Sequence, residues 1–133
     1  MKILKTLYRI YTIPDRLEAQ VLFYEKLYER PYFMKFYYQQ LDVTLVEIGD
    51  ILILSGLDET WKNLPIVKNT SLTIYVLSID ETYSDLLMNE ELSILYGPQE
   101  CLTGFNMGVQ NPDGLIFEYV QHTEKVNKYK NDK

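Results

Sequence analysis

The sequence predicts an α+β fold built from two βαβββ modules, and three observations predict it. The order strand, helix, three strands occurs twice along the 133 residues. Two helix-start signatures, Asp15-x-x-Glu18 and Ser78-x-x-Glu81, recur at the same offset that pairs the first strand with the fifth, which is the mark of an internal repeat. A Pro-Asp-Gly turn within Asn111-Pro112-Asp113-Gly114 joins two apolar, β-prone runs, residues 105–110 and 115–120, as a hairpin.

Each element has its own local reason. Residues 4–13, rich in Leu, Tyr, Ile and Thr, read as a first strand that Pro14 stops. In the capping-box reading, the Asp15 side chain satisfies free amides at a helix start. The helix then places Leu17, Val21, Tyr24 and Tyr28 on one face, opposite Arg16, Glu18, Gln20 and Glu25, and ends at Pro31. Residues 32–40 and 42–48 are two more strands, and Gly49-Asp50 turns the chain into a fourth, 51–55. The stretch 56–70 has Gly, two Asn, Pro65 and mixed charge without a period, so it reads as a loop. Beyond it, 72–77 is a strand, Ser78 opens a short helix with Ile79, Tyr83, Leu86 and Leu87 on its apolar face, and 93–96, 105–110 and 115–122 are strands, with Gly97-Pro98 as a turn. The organisation is one domain over 1–133: module one 1–56, connecting loop 57–70, module two 71–122 and a polar, lysine-rich tail 123–133 that is expected to fray.

Composition excludes several classes of function. Apolar types at 47% exclude disorder, and a formal charge of −6 disfavours nucleic acid, which binds a concentrated basic surface. The single cysteine, Cys101, allows no intrachain disulfide and fits a reducing compartment; with no apolar leader at the N-terminus, the expectation is a cytoplasmic protein. No apolar run approaches the about 20 residues that span a bilayer, so no membrane partner is expected. Phosphate loop, Rossmann fingerprint, Cys-x-x-Cys and Ser-His-Asp groupings are all absent, and the pairs Glu90-Glu91 and Asp58-Glu59 read as solvated surface.

The most informative single residue is Glu118. It stands among Ile116, Phe117, Tyr119 and Val120, and a charge in an apolar strand is costly unless it is paired, hydrogen-bonded or metal-bound. Asn-Pro-Asp-Gly, a few apolar residues and then Glu resembles the last-strand signature of the vicinal oxygen chelate superfamily, which includes glyoxalases, bleomycin-resistance proteins and extradiol dioxygenases. Phe23 to Leu27 resembles, more weakly, the Phe-Tyr motif of that superfamily's first helix. The resemblance implies an open, cupped mixed sheet with helices outside and a groove inside, often completed by two-fold dimerisation, hence a homodimer.

In metal-dependent members, His, Glu or Gln ligands come from the first strand of each module and the last strand of each module. Here the first-strand position falls on Arg9 or, one register away, Tyr8; the others fall on Ser71 or Leu72 and on Ile53 or Leu54, and Glu118 is the one ligand-type residue retained. One carboxylate does not hold a transition metal, which normally takes three or four ligands. His122 shares the strand face of Glu118 but lies about 13 Å along it, and reads as solvent-facing. No metal or other cofactor is therefore expected. If Arg9 faces inward it can pair with Glu118 and bind an anionic or carbonyl group; if Tyr8 does, Arg9 is solvated. By strand parity Ile116 and Val120 accompany Glu118, while Phe117 and Tyr119 pack beneath the helices. The expected lining of the groove is Glu118, Arg9, Tyr11, Phe36, Tyr38, Trp61, Phe105 and Met107. Trp61 is either a lid or a staple holding the loop to the core, and Cys101 is an ordinary thiol. The function this implies is binding of a small aromatic or amphipathic molecule, an antibiotic or a metabolite, by sequestration. The alternatives are a metal-dependent lyase or dioxygenase, and a ligand-sensing or interaction domain.

Overall fold

The computed structural model describes residues 1–132. Pro14 ends the first strand and opens the first helix because its fixed φ suits a first helical turn and its missing amide costs nothing there. The elements follow as β1 (Ile3–Thr12), α1 (Pro14–Tyr28), β2 (Met34–Tyr38), β3 (Val43–Ile48), β4 (Ile51–Ser55), α2 (Asp58–Lys62), α3 (Pro65–Lys68), β5 (Thr70–Val76), α4 (Ile79–Leu87), β6 (Ser93–Cys101), β7 (Gly104–Gln110), β8 (Ile116–His122) and a 3-10 helix (Glu124–Tyr129). The strands hydrogen-bond in the order β2-β3-β4-β1-β5-β8-β7-β6. Both modules use one pairing scheme: β1 runs parallel to β4 as β5 does to β8, and β2–β3, β3–β4, β6–β7 and β7–β8 are antiparallel. This is the predicted α+β fold of two βαβββ modules. No helix among the described residues is long and apolar enough to cross a membrane.

Two compact units divide the chain, and β1 contributes to both. The first unit holds Met1–Leu7 and Asn69–Asn127. Its core is Ile74, Val76, Ile79, Met107, Val109 and Tyr119, with Tyr83 and Leu86 of α4 packed against it. The second unit holds Tyr8–Lys68 with residues 128–132. There Leu17, Val21, Tyr24 and Tyr28, the predicted apolar face of α1, cover Val46, Ile48 and Ile53 of β3 and β4. Tight passage of the β3–β4 turn beneath this helix requires glycine: Gly49 has φ +54°, and a Cβ there would lie 2.5 Å from the Tyr28 ring.

Four local expectations need correction. Asp15 does not cap α1: the cap position is Ile13, with no side-chain hydrogen bond, because Pro14 rather than Asp15 begins the helix. The second signature does form, Ser78 Oγ accepting from Glu81 N at 3.2 Å. Residues 56–70 are not a plain loop, since α2 and α3 fold within them. Gly97-Pro98 is not a turn: β6 continues through it to Cys101 with a shift in register. The tail does not fray over 124–132, where Val126 is buried and Asn131 donates from its backbone amide to Phe33 O at 2.9 Å and from its side chain to Tyr32 O at 3.0 Å. The rest of the tail expectation, Lys133, lies outside the described residues.

Candidate functional site

In the first unit the site is built on Glu118. Glu118 lies level with Thr73 on β5 and opposite Gly108 on β7, so the three share a sheet face, the one turned away from the core beneath α4. Thr73 Oγ1 donates to Glu118 Oε1 at 2.9 Å, and Asn106 Nδ2 donates to Oε2 at 3.0 Å. Both oxygens are thus oriented by donors. Because Asn106 turns its amide nitrogen to the carboxylate, its Oδ1 is buried with no hydrogen-bond partner among the described residues. A buried acceptor without a donor is uncommon in proteins and calls for a ligand or a water to fill it. Gly108 makes room for the ring of Tyr96, into which a Cβ there would run, and that ring lies over this strand as an aromatic wall. His122 is not solvent-facing; its ring lies half-buried with its centroid 4.2 Å from that of Tyr75.

Two expected lining residues are misplaced by parity. The β7–β8 register sets Met107 opposite Tyr119, and Tyr119 packs in the core beneath α4. Met107, fully buried, is therefore core, and Phe105 packs beside it while lining a separate cavity with Asp80, Gln99 and Gln121 on that side. Ile116, Phe117 and Tyr119 follow the expected alternation. Cys101, near this site, has its thiol pushed up by burial, with the Glu118 charge adding to the effect and hydrogen bonds from Thr103 opposing it. It is a protonated thiol at neutral pH, the ordinary one expected.

In the second unit Arg9 sits level with Leu52 and Tyr11 with Leu54, on the face opposite Ile53 and the α1 contact. Tyr8 points the other way and is 63% exposed, so the open choice between the two resolves to Arg9 on the face without the helix. Arg9 Nε donates to Tyr11 Oη at 2.7 Å, and Tyr11 in turn donates to the carbonyl of Val67 at the end of α3. Trp61 is a staple: it is buried, meets the Tyr11 ring edge-on at 5.2 Å, and donates from Nε1 to Thr12 O at 3.0 Å. Phe36 is buried with its ring 5.0 Å from Tyr129, and Tyr38, half-buried, shares its strand face.

Sequence reasoning missed Thr73, Asn106, Tyr96 and, most of all, Glu47. The Glu47 side chain lies level with Leu52 on the Arg9 face of β3 and is only 1% exposed. Its signal was the same as for Glu118, a lone charge among Leu45, Val46 and Ile48. Among the described residues no three His, Cys, Asp or Glu come together to hold an ion.

The chain matches no protein-family model and no curated protein. It is similar, at 38% identity and a TM-score of 0.81, to an uncharacterised protein from Methanosarcina mazei, over 93% of this chain and 96% of that one. The methylmalonyl-CoA epimerase of Streptomyces coelicolor, solved in complex with 2-nitronate-propionyl-CoA, is similar at 19% identity and a TM-score of 0.64, over 90% and 96% of the two chains. The methylmalonyl-CoA epimerase of Mycobacterium tuberculosis gives 14% and 0.65, over 96% and 95%. At these identities the epimerases bear on the fold alone.

Proposed function

The chain belongs to one family with the uncharacterised Methanosarcina mazei protein and has the fold of the vicinal oxygen chelate superfamily; from that premise we propose that it binds a small amphipathic organic molecule bearing a hydrogen-bond donor. The observation that carries this is the Glu118 carboxylate, fixed by Thr73 and Asn106 beside the buried, unmatched Asn106 Oδ1. Two acceptors side by side select an N–H or O–H group, and the Tyr96 ring offers the apolar wall that such a ligand needs. Sequestration requires no more than this. The test is a thermal-shift screen of phenols, aromatic amines and acyl-CoA thioesters. A ligand at 100 times its Kd adds about 2.7 kcal/mol of stability. Glu118→Gln, which replaces one acceptor oxygen by a donor, is expected to weaken any hit about tenfold or more. No hit from the three classes, or hits indifferent to Glu118→Gln, overturns the reading.

A second reading is favoured by Glu47. A buried carboxylate on the face without the helix is the kind of group that takes a proton from a carbon acid, and the Streptomyces coelicolor epimerase was solved with 2-nitronate-propionyl-CoA. It predicts solvent deuterium entering the α-carbon of an acyl-CoA, followed by NMR and lost in Glu47→Gln. The homodimer belongs here as a proposal too. Its support is the apolar surface of α1, where Phe23 and Leu27 are 60% and 62% exposed on the side away from β3 and β4.

A further inference from the structure

The second unit holds a cavity of about 400 Å³ at the C-terminal end of β1, where the first two turns of α1 face α2 and α3. Arg16 and Lys68 bring two cations to its lining and Asp58 one anion, and none of the three is ion-paired among the described residues. Lys68 is steered there by the Tyr11 ring, its Nζ lying 5.2 Å from the ring centroid. Gln20, one turn beyond Arg16 on α1, also lines the cavity, and its Oε1 is buried with no hydrogen-bond partner among the described residues. Buried polar atoms are normally satisfied, so this orphan at the cavity is an observation to explain.

Two cations match a carboxylate; a lone carboxylate and an amide oxygen without a donor match an ammonium. The geometry points to a second ligand site, distinct from the Glu118 face, that binds a small zwitterion of the α-amino acid class. Its carboxylate lies with Arg16 and Lys68, and its ammonium donates to Gln20 Oε1 and Asp58. Trp61 lines the same cavity and is the only tryptophan in the chain, so its fluorescence reports this site and no other.

The experiment is a titration of Trp61 fluorescence with L-alanine, L-lactate and propionate, three carboxylates of one size that carry an ammonium, a hydroxyl and neither. L-Alanine is expected to give a saturable change and to bind about tenfold tighter than propionate, with lactate between, since a charge-assisted hydrogen bond separates the ends of the series. Arg16→Gln, at an exposed position, weakens L-alanine about tenfold through loss of one charge-assisted bond. Gln20→Leu weakens it by a similar factor without lowering the melting temperature, because it removes an unsatisfied oxygen rather than a packed group. The inference is overturned if no probe gives a saturable change, if propionate binds as tightly as L-alanine, or if both variants bind like the parent chain.

Discussion

Glu118 owes its orientation to two neutral side chains, and their worth can be read separately from any ligand. Thr73→Val keeps the shape of a fully buried residue and removes the donor to Oε1; the expected cost is about 1–3 kcal/mol, since the hydrogen bond is to a charged group, and urea denaturation checks it. Titration at this scale acts in the alkaline direction. Burial holds the Cys101 thiol above its ordinary 9.0 and the Tyr119 phenol above its ordinary 10.0, so the fold keeps protons that the unfolded chain gives up. Stability is therefore complete below the ordinary thiol value and declines as pH rises through the folded-state values. Cys101→Ala and Tyr119→Phe should each flatten that alkaline decline, measured by denaturation across a pH series. The two carboxylates show how far single residues speak from sequence alone: a charge inside an apolar run is visible, and Glu118 and Glu47 both display it. Their partners do not. Thr73 and Asn106 are ordinary in a strand, and only the register of three strands brings them to Glu118.

Helix starts separate two similar sequences by their context. Ser78 caps α4 through Glu81 N, so Ser78→Ala should cost about 1 kcal/mol. Asp15→Ala should cost only about 0.3–1 kcal/mol, because Asp15 acts through the dipole of the first turn and not as a cap. Thermal melts of the two variants decide this. Pro14 is what hid the difference, since it moves the start of α1 one residue ahead of the Asp. Likewise α2 and α3 were illegible because elements of 5 and 4 residues are too short for a hydrophobic period to declare itself, and tertiary contacts such as Trp61 to Thr12 O fix them instead. Trp61→Phe should lose about 1 kcal/mol with that hydrogen bond. On β7 the alternation was visible but its sign was not: Met107 and Asn106 both fit a groove until the pairing with Tyr119 assigns Met107 to the core. The exposed Phe23 and Leu27 make the oligomeric state an element-scale question, for which analytical ultracentrifugation of the parent chain and Leu27→Glu should give a dimer and a monomer respectively.

At the scale of the molecule the repeat was the legible part, because strand order, helix position and turn chemistry agree in both halves and each constrains the other. The division into units does not follow the division into modules, and here the sequence is silent: no Gly or Pro in β1 marks the point between Leu7 and Tyr8 where one unit gives way to the other. That shared strand has a consequence for synthesis on the ribosome. Residues 8–68 of the second unit emerge as one stretch, with β1 able to meet β4 once Ser55 has left the ribosome. The opening residues of β1 must wait for β5, and their unit stays open until Asn127 has been added. Through that interval a row of backbone donors and acceptors is exposed on a nascent chain, the kind of edge on which a chaperone or a neighbouring nascent chain can settle. Slowing translation after Ser55 should therefore favour the second unit and prolong the exposure of the first.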